Sequence, residues 1–371
     1  MNSATTTRGC SPGQLDDRPV VCFLDRDHVL DVALALISSP PEVSADAVEC
    51  FLWPEIGDVP AVVDGSAIPH CVVAEPPANY GSVATPPAET SVLVVRRSPV
   101  SAEMKKSLPR LRHIQKLGDR TDTIDVEYAA AHGISVDCVS RPSLESTADH
   151  AIMLMLATLR HLFESNLHAR TVTDPTSESA VSAYNWAGME QLDTLSGKTL
   201  GIIGMGEVGI LVARRAHAFG VRILYCSHDP VSPQMEEELG LHRVDLDYLL
   251  AVSDIVSVHV PGTASNSRLV DEAFLHRMKA GAILINVARG DLVDEAALVS
   301  ALREQRLAGA GLDVHAHEPR HPGDPLLTMD QVILTPHIAG GLRGRALPEI
   351  LAIVRGIRKG LELDDTEVAQ Q

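Results

Sequence analysis

The sequence predicts an α/β fold built on parallel sheets whose faces are covered by helices, and three observations carry that prediction. Residues 199–209, TLGIIGMGEVG, run from a short apolar stretch into Gly204, Gly206 and Gly209, and a helix-favouring segment, ILVARRAHAFG, follows directly. From Asp125 onward, apolar runs of strand length alternate with segments of helical periodicity. Many of these runs are apolar almost throughout rather than at every second position, which is how a strand buried on both faces reads. Strand and helix alternating in this way form a parallel sheet with helices on its faces.

Taken in order, residues 1–19 have no apolar core of the kind a secretory signal needs and read as a flexible tail. Residues 20–24, VVCFL, suit a buried strand and 29–37 a helix. Residues 54–87 hold seven prolines and read as mostly irregular, with a short strand at 71–74. A strand is expected at 91–95 and a helix at 102–111. DVEYAAAHG then reads as helix, ISVDCV as strand, and 145–170 as one long helix with an N-cap signature at Ser146 and Asp149. Polar residues 171–196 form a connection. Beyond the glycine turn, VRILYCS, DIVSVHV, AILINVA, AGAGLDV and QVILTPH are strands, each preceded by a helical segment.

The chain's 371 residues suffice for two domains with separate cores. Hydrophobic content of 45% and a mean hydropathy near zero indicate a soluble globular protein. No apolar run approaches the roughly 18 residues of a membrane span, and AIMLMLATLRHLF is cut by Arg160, so no membrane helix is expected. A net charge of −18 without a long basic cluster argues against a nucleic-acid partner. Six cysteines at 10, 22, 50, 71, 138 and 226 have neither CxxC spacing nor a compact framework, and suggest reduced thiols in a cytoplasm.

The glycine turn suits a dinucleotide. Its first glycine permits the sharp turn, the second lets backbone approach a pyrophosphate, and the third brings helix and strand together. In parallel sheets ligands lie beyond the carboxyl ends of the strands. That rule selects Ser227 and His228, His259 to Pro261, Val287 to Gly290, Asp313, and Pro336 with His337. Arg289 offers a permanent charge and a fork suited to a carboxylate. His337 is the side chain best suited to exchange a proton near neutral pH. Glu318, if it touches that imidazole, would favour the protonated ring and hold its orientation. A metal site from His315, His317 and His321 is the alternative reading of HAHEPRH, but the run holds a proline and lacks a cysteine or an HExxH helix, so no metal is expected.

From about residue 111 to 342 the chain resembles the D-isomer-specific 2-hydroxyacid dehydrogenases, which include glyoxylate and hydroxypyruvate reductases and phosphoglycerate dehydrogenase. The stretches that carry the resemblance are IQKLGDRTDTIDVEYAAAHGI, ESTADHAIMLMLA, GKTLGIIGMGEVG, AILINVARGDLVDEAALVSAL, GAGLDVHAHEP and ILTPHIAGG. It implies two Rossmann-like domains, with a dinucleotide-binding domain (144–337) inserted in a substrate (catalytic) domain (20–143 and 338–371). It also implies that Arg289, Glu318 and His337 are catalytic and that Asp313 holds the nicotinamide carboxamide. Glu207 and Val208 fall in the pyrophosphate turn, and Val260, Pro261, Val287 and Ala288 line the cofactor site. Arg289 would clamp the carboxylate of a small 2-oxo acid, hydride would pass between nicotinamide and carbonyl carbon, and His337 would exchange the proton. A homodimer, through the long helix from Glu145, is the implied assembly.

Several departures limit what carries over. Leu117, Gly118, Asp119 and Arg120 occupy the substrate loop, and two of them are charged. Arg120 adds an anion contact that Asp119 orients, with Asp119 otherwise excluding some substrates, or else Arg120 belongs to a surface pair. Where NAD-dependent members place an acid after the second strand, this chain has Ser227 and His228, then Asp229, so NAD and NADP both stay open, with a lean to dual or NADP use. The proline-rich 54–87 segment is longer than usual, and 338–371 is too short for an appended regulatory domain. Formate dehydrogenases, with Gln where Pro336 stands, are disfavoured. A corepressor-like recruitment protein that binds dinucleotide on the same fold is the alternative to an enzyme.

Overall fold

The computed structural model describes residues 18–38, 71–74, 83–171, 188–263, 265–341 and 343–361, with single positions 48, 51, 68 and 185. Most of the expected N-terminal tail, much of the proline-rich segment and much of the 171–196 connection lie outside the described residues. The chain forms two compact units, Met1–Arg141 with Arg343–Gln371, and Pro142–Leu342, so the second interrupts the first in sequence.

The first unit is a five-stranded parallel sheet of β1 (Val20–Phe23), β2 (Val72–Val73), β3 (Thr90–Val95), β4 (His113–Leu117) and β5 (Ser135–Val139), in the order β2-β1-β3-β4-β5. Successive residues serve opposite faces. Val21, Phe23, Val92 and Val94 join the cluster formed with the helices His28–Ser38 and Leu347–Gly360, while Cys22, Leu93 and Val95 pack with Leu108, Ile114 and Ala129. This is why the strands read as unbroken apolar runs.

The second unit is a seven-stranded parallel sheet: β6 (Thr199–Ile203), β7 (Arg222–Cys226), β8 (Leu241–Arg243), β9 (Ile255–Val258), β10 (Ala282–Asn286), β11 (Leu307–Leu312) and β12 (Val332–Leu334). Its order is β12-β11-β10-β9-β6-β7-β8. The chain builds outward from β6 through β7 to β8, then crosses to the other side of β6 for β9. A crevice therefore opens between β6 and β9 at their carboxyl ends, where such sheets bind ligands.

Three local expectations are corrected. The helix expected over 102–111 ends at Lys106, because Pro109 has no N–H to continue it, and HIQKL becomes β4. The single helix over 145–170 is two, Ser143–Leu159 and Leu162–Thr171, separated where His161 takes φ of +45°. The first buries Ala148, Ala151, Leu154 and Met155, whereas the second buries none of its residues, so no continuous apolar stripe ties them into one rod. The first begins at Ser143 behind Pro142, which places Ser146 inside it rather than at its cap. The three-residue β8 was too short to be read from its sequence.

Gly209 fixes how closely the helix Glu207–Ala218 approaches the turn after β6, since a Cβ there would lie 2.3 Å from the Gly204 carbonyl oxygen. Gly209→Ala is expected to cost about 1–3 kcal/mol, the usual range for overpacking. Denaturant unfolding of the two proteins checks this.

Candidate active site

At the end of β6, Gly204 takes φ of +94°, and a Cβ there would lie 2.9 Å from the His259 carbonyl group. Only glycine makes that turn without strain. Gly206 caps the following helix without a side-chain bond, and a Cβ on it would meet no protein atom within 4 Å. Bare backbone at a helix N-terminus, with Glu207 and Val208 in its first turn, matches what a pyrophosphate requires. The residues present therefore fit a dinucleotide.

The neighbouring strand ends continue the crevice. Val260 and Pro261 follow β9, and the Val260 side chain closes on Gly204. His259 bonds Ser257 Oγ at 2.8 Å, and burial pushes its imidazole down to about 4, so it is neutral at physiological pH. After β7, the carbonyls of Ser227 and His228 both accept from one Arg243 nitrogen, at 3.0 and 2.8 Å. After β10, Val287 is buried, and the buried Asn286 accepts from Ala288 N–H at 3.0 Å and donates to the Arg289 carbonyl at 2.8 Å. Asn286 thereby fixes the backbone that presents Arg289.

Arg289, Glu318 and His337 come together on one cleft of about 360 Å³, whose lining also includes Gly262, Gly290, Asp291, His315 and Ala316. Glu318 Oε2 lies 2.7 Å from His337 Nδ1, and its Oε1 accepts the His315 N–H at 3.0 Å. Burial raises the Glu318 carboxyl, but the hydrogen bonds from His337 and the His315 backbone outweigh it and hold the group below the usual carboxylate range. The Arg289 guanidinium is exposed at this cleft and donates to the Ala288 carbonyl at 2.6 Å.

The loop bearing Glu318 is tied down by Arg320, which bonds Glu295 at 2.6 Å, His315 Nδ1 at 3.0 Å and the Asp324 carboxylate. His315 Nε2 in turn meets the Thr335 carbonyl at 2.8 Å. With both ring nitrogens in these bonds, His315 knits two loops of the cleft together. Among the described residues no group of three His, Cys, Asp or Glu side chains is placed to hold a metal.

Asp313 is fully buried, and its carboxylate accepts from Thr335 Oγ1 at 2.7 Å and from the N–H groups of Ile338 and Ala339, each at 2.8 Å. The loop that carries His337 thus closes on this residue. Sequence reasoning picked out Asp313 but missed Thr335, Asn286 and Arg320. Their one signal was a polar residue at the end of an apolar run for the first two, and none for Arg320.

In the first unit, Leu117 is buried at the end of β4 and Gly118 turns the chain with φ of +106°, its N–H donating to the Val139 carbonyl at 2.8 Å. Arg120 pairs with Asp122 through two nitrogens, at 2.7 and 3.3 Å, and not with Asp119, which corrects the expectation that Asp119 orients it.

Comparison with known proteins agrees with this geometry. Residues 152–339 match the family model described as D-isomer specific 2-hydroxyacid dehydrogenase, NAD binding domain. The chain belongs to the D-isomer specific 2-hydroxyacid dehydrogenase family. It is 42% identical to a glyoxylate reductase of Korarchaeum cryptofilum over 65% of this chain and 70% of that one. It is 38% identical to a D-3-phosphoglycerate dehydrogenase of Archaeoglobus fulgidus over 69% of this chain but 46% of the relative, so the match spans under half of that protein. The structure of a glyoxylate reductase from Paecilomyes thermophila superposes with a TM-score of 0.54 at 26% identity, covering 93% of this chain and 96% of that one. These relatives lend no support to a recruitment role. Within this 2-hydroxyacid dehydrogenase, no helix among the described residues is long and apolar enough to cross a membrane.

The Glu318 carboxylate gives a pH prediction. Its value in the folded protein lies below that of the unfolded chain, so its bond to His337 adds stability at neutral pH that is lost as pH falls through the folded value. Carboxyl NMR titration should place Glu318 below the ordinary range, and His337→Leu should move its midpoint up. An unmoved midpoint would mean that the bond is absent in solution.

Proposed function

We propose that this dehydrogenase reduces a small 2-oxo acid to the D-2-hydroxy acid with NADPH, and runs the reverse reaction with NADP. The observation that carries this reading is the Glu318–His337 bond of 2.7 Å on the cleft that Arg289 also lines. The dinucleotide, when bound along Gly204, Gly206 and Gly209, supplies or accepts the hydride. Arg289 clamps the substrate carboxylate through its fork, which orients the carbonyl carbon. Glu318 holds Nδ1 of His337 and thereby aims Nε2 at the substrate oxygen. In reduction Nε2 gives its proton to the oxygen as negative charge develops there, and in oxidation it takes the hydroxyl proton back.

Glyoxylate and hydroxypyruvate are the substrates this reading favours, supported by the glyoxylate reductases among the relatives. The cofactor preference rests on the end of β7. Ser227 and His228 stand where a ribose-binding acid would be expected, and the Arg243 guanidinium sits directly against their carbonyls. A cation there favours a 2′-phosphate. Four free thiols among the described cysteines support a cytoplasmic protein. Exposed Leu162, Phe163 and Leu167 on one helix support a homodimer.

His337→Gln should lower kcat for glyoxylate reduction by about 100-fold or more, with NADPH affinity, read by fluorescence titration, unchanged. Retained kcat would overturn the assignment of the proton donor. Arg243→Met should reduce the ratio of kcat/KM for NADPH over NADH about tenfold, the equivalent of one hydrogen-bonded charge. An unchanged ratio would remove the argument for NADPH.

A further inference from the structure

His150 lies on the helix Ser143–Leu159, far in sequence from the cleft, and takes no part in the chemistry described above. Its Nε2 is 2.9 Å from Thr335 Oγ1 and 3.4 Å from Asp313 Oδ1, and the side chain is nine-tenths buried. The Thr335 hydroxyl has one proton, and it goes to Asp313 Oδ1 at 2.7 Å. The same oxygen can therefore meet His150 only as an acceptor, which requires a proton on Nε2. Burial lowers His150 from its ordinary value against the pull of Asp313, which agrees with a neutral ring carrying that proton.

The chain of bonds ends on strained backbone. His337 takes φ of +56°, a strained conformation for a non-glycine residue that persists only where its surroundings over-determine it. Asp313 supplies that constraint. Its carbonyl accepts the His337 N–H at 2.8 Å, and its carboxylate accepts the next two N–H groups, of Ile338 and Ala339. Three consecutive backbone donors thus converge on one residue whose carboxylate is oriented by Thr335, and Thr335 is oriented by His150.

We propose that His150 is a positioning residue for His337, acting through the Thr335 hydroxyl and the Asp313 carboxylate to hold the 337–339 turn. The inference rests on His337 being the proton donor, so its test includes a measurement that does not depend on turnover. Removing the donor in His150→Leu should lower kcat about 10- to 100-fold, the loss expected from a small misplacement, with KM for glyoxylate changed no more than about twofold. His150→Gln, which keeps an N–H donor, and Thr335→Ser, which keeps the hydroxyl, should recover most of the rate. Thr335→Val should resemble His150→Leu, and the double variant should be no slower than the slower single, because both break one chain.

Independently of activity, amide exchange at 337–339 should quicken in His150→Leu, and ring ¹⁵N shifts should show His150 protonated at Nε2 alone. Unchanged exchange at those amides, a proton on Nδ1 instead, or equal loss in the Leu and Gln variants would overturn the proposal. If exchange quickens as expected while His337→Gln retains kcat, the positioning stands and only the assignment of the proton donor falls.

Discussion

The reactive end of the second sheet depends on keeping a buried carboxylate satisfied. A carboxylate shut away from water is costly unless each oxygen finds donors. Asp313 meets that requirement with one hydroxyl and two backbone N–H groups, all drawn from residues 335–339. The need is reciprocal, because a turn with a histidine in the left-handed region leaves successive N–H groups pointing the same way and needs an acceptor beneath them. Neither feature is tenable alone, and together they set where the imidazole emerges from the end of β12.

Glu318 reaches that imidazole from a separate loop with its own support. Arg320 is nearly buried, and its guanidinium is shared between two carboxylates and the His315 ring. Such a cation is stable there only with several acceptors close by, and supplying them draws Glu295, Asp324 and His315 around it. His315 then bonds Glu318 through its backbone and the Thr335 carbonyl through its ring, so the carboxylate and the imidazole are held by connected networks. A misplaced side chain in either loop would be felt in the other.

What the sequence made legible was the part governed by local rules. The strands announced themselves as apolar runs, the glycine turn by its spacing, and Arg289 and His337 by standing at strand ends, with Glu318 legible only as a possible partner of the imidazole. What stayed hidden depends on partners distant in the chain. HIQKL went unread as a strand because His113, Gln115 and Lys116 are polar, yet all are buried. Gly356 and Gly360 bring the helix Leu347–Gly360 against the His113 and Gln115 side chains, and that closeness has no local signature. The break at His161 was masked by apolar residues on both sides of it. His150 and Thr335 are 185 residues apart, and no spacing rule joins a helical histidine to a threonine at a strand end.

The two sides of the site are unequally anchored, and the inequality suits the two tasks proposed for them. His337 is fixed through its backbone, through Glu318 and through the buried chain behind Asp313, whereas the Arg289 side chain is exposed and anchored through backbone that Asn286 holds. Attraction between a guanidinium and a carboxylate falls off gradually with distance, so the arginine tolerates small displacements as it closes on an anion. Proton transfer needs donor and acceptor within hydrogen-bond reach and aligned, and tolerates little. Buried polar groups, which are expensive to install, accordingly gather behind the histidine, while the arginine proposed to bind the substrate carboxylate is left exposed at the cleft.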